Sequence, residues 1–320
     1  MGARSMPSEN TAKERRTVHQ NHHPPIAQGI ALIVVSMLLF TLSDVFAKQL
    51  AQSVHPIEIA WLRCLGAVLL LAPVVAARPI VLRSAKPRLQ ILRGLCLLVS
   101  TTLLIAAFRT LGLAEATMLV FMSPFFLTAL SALIFGDRVS RAHWAAVAIG
   151  LAGVAVVVRP GFGTLSPAVA LPILSSLGWA AGMICTRRIG GADSSVTTLV
   201  WSVAVGFAAA SLAVPFVFSP LDGAQLIVAA GMAAAWTGAH FLIVLAYRRY
   251  PAWQLAPFSY AQVVWSVILG HAAFAELPDA MAFAGSALIL SGGLLAAVHP
   301  QRFRSAVRSA SASRLPNTKP

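Results

Sequence analysis

The chain has 320 residues, 58% of them apolar and 11% charged, far from the roughly 25% charged content of an ordinary water-soluble domain. Such a chain has too little polar surface to cover itself in water. The formal net charge of +14 does not make it a nucleic-acid binder, because its basic residues lie between apolar blocks instead of clustering on one folded patch.

Residues 1–25 are polar and carry Arg4, Lys13, Arg15, Arg16 and three histidines. The first apolar run after them has the length of a full span and no small-residue cleavage site, so this segment reads as a retained, disordered cytoplasmic tail. A bilayer core takes about 20 apolar residues of helix. Cutting at charged and Pro/Gly punctuation predicts spans at 27–49, 56–77, 90–110, 113–135, 143–158, 167–187, 196–217, 224–247, 253–274 and 280–298. The connections are short, so neighbouring spans run antiparallel. Residues 300–320 are again polar, Arg- and Ser-rich, and read as a second disordered cytoplasmic tail. Cys64, Cys96 and Cys185 each fall inside an apolar run, so neither a disulfide framework nor a metal site is expected.

The sidedness of Lys and Arg tests this count independently. With the N-terminus inside, 20 basic residues fall on the cytoplasmic side, three (Lys48, Arg109 and Arg159) fall outside, and Arg63 is left within a span. Both termini are then cytoplasmic and the protein is expected in the cell (inner) membrane. No nucleic-acid partner is expected.

A constant shift of 139 residues superposes Ser36 on Ser175, Phe40 on Trp179, Lys48 on Arg187 and Ala107-Phe108-Arg109 on Ala246-Tyr247-Arg248. The same shift carries Phe135-Gly136-Asp137 onto Phe274-Ala275-Glu276, and Gly153 onto Gly292. The register predicts two repeats, at 26–160 and 165–299, each of five spans. An odd number of spans makes the second copy enter the membrane from the opposite face. The expected fold is therefore an all-α membrane protein of ten spans in two inverted five-helix repeats, a recurring plan of secondary transporters.

Several local patterns accompany this plan: Ser43-Asp44-Val45-Phe46-Ala47-Lys48, Trp61-Leu62-Arg63, Phe135-Gly136-Asp137-Arg138 and Gly150-Leu151-Ala152-Gly153-Val154. Over residues 26–298 the chain resembles the drug/metabolite transporter superfamily, in its EamA-type branch. The closing Gly-Glu usual in that branch is Gly136-Asp137 in the first half and Ala275-Glu276 in the second. The resemblance implies a central cavity between the halves; separately, no cofactor is expected. It transfers no substrate, since members move amino acids, nucleotide-like metabolites, vitamins and siderophore-like molecules.

Ionisable residues within spans cost about 2.5–3.5 kcal/mol on insertion scales, so each is a candidate for function. Asp44 in the first span and Arg63 in the second reach similar depth on hairpin-connected helices, which predicts an Asp44–Arg63 pair. Asp44–Lys48 at i, i+4 is the competing pair. A structural salt bridge and a substrate or gate contact both remain open for this pair. Glu58 and Glu115 sit in first helical turns, where the helix dipole favours a carboxylate. Arg109 and Arg248 end the third and eighth spans, as interfacial anchors or as a symmetric gate. His240 lies deep in the eighth span, either bonded to a helix carbonyl or contacting substrate. Gln262, Ser123 and Thr237 offer uncharged contacts, and Trp61, Trp179, Trp236 and Trp265 offer faces for a flat substrate or simple packing.

The expected activity is a secondary transporter moving a small organic metabolite by alternating access, such as uptake of a vitamin like riboflavin or of an S-adenosylmethionine-like compound. Export of amino acids or other metabolites is the alternative. The alternative of another class is a membrane-embedded enzyme, which is not expected because the intramembrane His and Asp are isolated; the lack of a phosphate-binding Gly-x-x-x-x-Gly-Lys-Ser/Thr loop argues against primary pumping. The partners expected are the metabolite, the bilayer and, for an assembly, a homodimer.

Overall fold

A backbone in hydrocarbon satisfies its N–H and C=O groups only within a helix or a closed barrel. The computed structural model, which describes residues 26–136, 139–158, 167–250 and 255–298, is all-helical over those residues. The helices are α1 (Ile26–Ala51), α2 (Pro56–Ala77), α3 (Pro87–Ala107), α4 (Leu113–Val120), α5 (Ser123–Phe135) and α6 (Arg141–Val158). They continue with α7 (Ala170–Ile189), α8 (Ser195–Ala213), α9 (Gly223–Arg249), α10 (Ala261–Phe274) and α11 (Ala280–Val298). Seven segments among the described residues are long and apolar enough to cross a membrane: Ile26–Ala51, Pro56–Ala77, Pro87–Ala107, Leu113–Phe135, Pro167–Ala192, Ser195–Phe216 and Gly223–Tyr247. Shorter apolar stretches cover Trp144–Val157 and Ala280–Leu295. Both expected tails, Asp137, Arg138 and Arg159 lie outside the described residues.

Helix starts follow local chemistry. Pro56, Pro87 and Pro124 stand in first turns, where their missing N–H is no loss. Ser194 caps α8 through Thr197 N–H, and Asp222 with Gln225 forms a reciprocal capping box on α9. Gly136 ends α5 with φ +67°, and Ala275 ends α10 with φ +56°, a conformation a Cβ resists.

Two expected spans are not continuous helices. The segment 113–135 breaks at Phe121 and Met122, just before Pro124, and 253–274 passes through a 3₁₀ turn at Ala256–Tyr260 before α10 begins. Each break adjoins a proline (Pro124, Pro257) that cannot donate the next helical bond.

Lipid supplies no hydrophobic force between helices, so close approach through small residues and interhelical hydrogen bonds must hold them. The tightest pairs are α1 with α9, α3 with α7, and α6 with α11. Ser36 Oγ donates to the Ala239 carbonyl at 3.1 Å, joining α1 to α9. Ser175 Oγ donates to the Ser100 carbonyl and Ser100 Oγ to the Ser175 carbonyl, both at 2.8 Å, joining α7 to α3. A Cβ on Gly153 would fall 2.5 Å from the Gly285 carbonyl oxygen, and one on Gly292 would fall 2.6 Å from that of Ala146. Large apolar side chains stand exposed, Phe216 and Leu133 being 87% and 81% exposed. That surface suits a lipid environment.

Candidate functional site

The turn between α1 and α2 is only four residues, so positions equally far from it stand at one depth. Asp44 and Arg63 are such positions, and they pair: Arg63 Nη2 donates to Asp44 Oδ1 and to the Ser43 carbonyl, both at 3.3 Å. Gln262, one residue into α10, donates to Asp44 Oδ2 at 3.5 Å. Three helices thus meet at one carboxylate. Asp44 and Arg63 are buried, 6% and 4% exposed, and Arg63 Nε has no hydrogen-bond partner. A guanidinium has five N–H donors in a fixed fork, and here two long bonds use one nitrogen. The pair is therefore charge-balanced but under-bonded, with donor capacity to spare.

A second group lies on α1 and α9. His240 Nδ1–H donates to the Trp236 carbonyl one turn earlier at 3.0 Å. The Trp236 ring lies 3.9 Å from that imidazole, and Phe40 meets it edge-on at 4.7 Å. On the same helix Thr237 Oγ1 is buried without a partner. Ser43, next to Asp44, donates to the Met232 carbonyl of α9 at 3.0 Å and ties the two groups together. Trp179 stands apart, 40% exposed on α7 with no ring contact, hydrogen bond or ion pair to the others. Ser123 opens α5 at the helix break.

The remaining candidates have structural partners. Trp61 donates to Ser211 Oγ at 2.8 Å, and Trp265 donates to the Val34 carbonyl at 3.3 Å. Fully buried Glu58 accepts from Ser219 N–H and Oγ–H, both at 3.1 Å, and Glu115 lies in the first turn of α4. Arg109 caps the end of α1, Nε donating to Ala51 O at 2.8 Å and Nη2 to Val54 O at 3.3 Å. The side chain of Arg248, its proposed gate mate, lies outside the described residues. Among the described residues no group of three or more His, Cys, Asp and Glu side chains could hold a metal ion.

Lys48 does not pair with Asp44. Its Nζ donates to both carboxylate oxygens of Glu276, at 2.6 and 2.7 Å, and to the Leu111 carbonyl at 2.8 Å. Glu276 Oε2 in turn accepts the Leu113 N–H at 3.0 Å, and the Phe274 ring lies 5.0 Å from the ammonium. Sequence reasoning missed this junction. Its signal was the repeat register itself, which aligned Lys48 with Arg187 and the Phe274–Glu276 triplet with Phe135–Asp137 without indicating that the aligned pieces touch. Arg93 was also missed: its Nε donates to Thr186 Oγ1 at 2.7 Å, and its Nη1 donates to Ser202 Oγ and to the Thr198 carbonyl.

At the far end of α2, about 33 Å from its start at 1.5 Å per residue, Asp193 joins two connections. It accepts from Ser84 Oγ at 2.5 Å, Ala85 N–H at 2.8 Å and Gln90 Nε2 at 2.8 Å. The Ser84 hydroxyl is the main cause holding this carboxyl below its usual range; burial opposes it, and the Ala85 and Gln90 donors and the Lys86 charge assist.

Residues 27–159 match the model of the EamA-like transporter family. That match lies in the first half of the chain. The chain is 32% identical over 199 residues to a riboflavin transporter of Rhizobium johnstonii, an alignment covering 59% of this chain and spanning only 63% of that protein. It is 24% identical to an S-adenosylmethionine uptake transporter of Rickettsia prowazekii, covering 83% of this chain and 91% of that one. To a pseudopaline exporter of Pseudomonas aeruginosa it is 25% identical, covering 83% and 94%. One protein crystal structure matches with a TM-score of 0.58 and 21% identity, over 87% of this chain and 99% of the other; that likeness concerns the fold alone. All three of these relatives are named as transporters.

Proposed function

We propose that this protein is an EamA-type secondary transporter carrying a small organic metabolite across the cell membrane by alternating access, with Asp44, Arg63 and Gln262 on the transport path. The observation that carries the reading is a buried, under-bonded ion pair where three helices meet, in a chain whose first half matches a transporter family. An unshared Nε–H beside a balanced pair can donate to an acceptor on a ligand without stranding a charge. Burial of a titratable pair in a membrane core is expensive enough to call for a function.

The architecture we infer is ten spans in two inverted halves, 26–160 and 165–299, with α4–α5 and the 3₁₀–α10 segment counted as single broken spans. Contacts that map onto each other under the 139-residue shift support it. The bond from Ser36 to Ala239 maps onto the bond from Ser175 to Ser100. Gly153 against Gly285 maps onto Gly292 against Ala146. The break after Phe121 maps onto the start of α10 after Tyr260, and these two mates touch, ring centroids 5.1 Å apart. Contact between mates is what an axis between two halves requires. Broken helices at such an axis are where transporters of this plan bind substrate. The charge asymmetry of the connections supports cytoplasmic termini.

Riboflavin and S-adenosylmethionine are the first cargoes to test, since relatives carry those names. Full-length protein in liposomes is expected to move at least one of them, and Arg63→Gln to lower the rate at least tenfold at equal membrane abundance. Movement of neither would overturn these cargoes; movement untouched by Arg63→Gln would overturn the site. The exporter among the relatives favours outward transport as the second reading, and comparing the two orientations of reconstituted protein decides direction.

A further inference from the structure

We propose that Lys48 with Glu276 is the latch of one membrane face and that Arg187 on Phe135 is the latch of the other, the two opening in alternation. The inference rests on the transport reading above. Lys48 gathers three connections at one end of the molecule: the end of α1, the α3–α4 turn through the Leu111 carbonyl, and the α10–α11 connection through Glu276. Glu276 adds a fourth contact at Leu113 N–H. No other cation among the described residues has so many bonds across separate segments at that end.

The same chemistry recurs at the opposite end in the same register. Lys48 lies 5.0 Å from the Phe274 ring, and Arg187, its repeat mate, lies 4.2 Å from Phe135, the mate of Phe274. α1 and α7 therefore each end in a cation seated on the aromatic that closes a span of the other half. Where two halves swap conformations, equivalent contacts on opposite faces exchange states.

Burial differs between this junction and the Asp44–Arg63 pair in the way a moving part requires. The Glu276 side chain is 36% exposed, so water can replace Lys48 when the contact breaks, whereas parting Asp44 from Arg63 strands both charges. Ala275 is held at φ +56° immediately before Glu276. Gly136 takes that conformation freely at the equivalent position of the first half, so the second half holds backbone strain beside its acid.

The test needs no known cargo. In full-length protein with Cys64, Cys96 and Cys185 replaced by Ala, Gln262→Cys reports access to the buried pair, labelled by a membrane-impermeant maleimide from either side of oriented liposomes. Lys48→Gln is expected to raise labelling from the Lys48 face at least fivefold and to lower it from the other face; Arg187→Gln is expected to do the reverse. Glu276→Gln opens the same junction from the acid side and should match Lys48→Gln in sign. The swap Lys48→Glu with Glu276→Lys should restore the wild-type ratio. Shifts of the same sign for Lys48→Gln and Arg187→Gln, or no shift, overturn the latch. So does failure of both Lys48→Gln and Glu276→Gln to fold, because a contact broken every cycle is dispensable for folding. If labelling shifts as expected while neither riboflavin nor S-adenosylmethionine moves, the latch stands and those cargoes fall.

Discussion

Asp44→Asn separates what the buried pair does for the fold from what it does for transport. Asparagine keeps the volume of aspartate, so the change opens no cavity and crowds nothing. It removes the charge facing Arg63, which is 4% exposed and has two hydrogen bonds, both at 3.3 Å. One of those acceptors, the Ser43 carbonyl, survives. Two unit charges about 4 Å apart interact by ~4 kcal/mol at an effective dielectric near 20, and breaking a buried pair by removing one member costs about 3–5 kcal/mol. The expected result is a large fall in the melting temperature of purified protein, followed as loss of monodisperse material on heating. Asp44→Asn with Arg63→Gln leaves no stranded charge and should regain most of that stability. Transport should not return with it. A double variant that moves cargo like the wild type would show the pair to be a fold element only, and an Asp44→Asn protein as stable as the wild type would refute the electrostatic argument.

Ser36→Ala and Ser175→Ala should each cost about 0.5–1.5 kcal/mol, with Ser175→Ala at least as costly, because its hydroxyl meets both the Ser100 carbonyl and hydroxyl; thermal stability in one detergent compares them. Gly292→Ala drives a Cβ to within 2.6 Å of the Ala146 carbonyl oxygen and 2.9 Å of Gly150 N. Both are backbone atoms that cannot turn aside, so a loss of about 1–3 kcal/mol is expected, read as a lower melting temperature. Asp193 titrates below the ordinary range when folded, so its contribution is complete above the unfolded pKa of about 3.9 and fades as pH falls through the lower folded value. The stability gap between wild type and Asp193→Asn should be flat near neutrality and close below about pH 4; a gap that widens on acidification would contradict the sign.

Much of the fold was legible because lipid removes choices. A backbone that can only be helical turns each long apolar run into a helix, as the seven long apolar segments among the described residues are. The Asp44–Arg63 contact was legible for a similar reason, since a four-residue turn brings the two positions to one depth. Gln262 was foreseen only as an uncharged contact; its approach to Asp44 comes from α10 packing on α1, a long-range docking that no periodicity encodes. The helix breaks were foreshadowed by Pro124 and Pro257, but a proline in a run of apolar residues does not say whether the helix kinks, stops or passes through a 3₁₀ turn. Lys48 was misassigned in the competing pair because i, i+4 geometry considers only one helix, and its true partner is 228 residues away.

The repeat register also sorts contacts by purpose. A bond needed to assemble the two halves should occur twice, once per copy, as the serine–carbonyl bonds and the glycine contacts do. Asp44 and Arg63 fall on Met183 and Ser202 under the same shift, so the second half is built without this ion pair. Its repeat position is occupied differently, with Arg93 reaching Ser202 and Thr186 from α3. If a half assembles without the pair, folding does not require it, and the cost of burying it in the other half must be offset by something assembly does not supply. On the proposed transport reading, a cargo with a preferred orientation would supply that, since it would meet the Asp44–Arg63 pair on one side and Arg93 with its threonine and serine partners on the other.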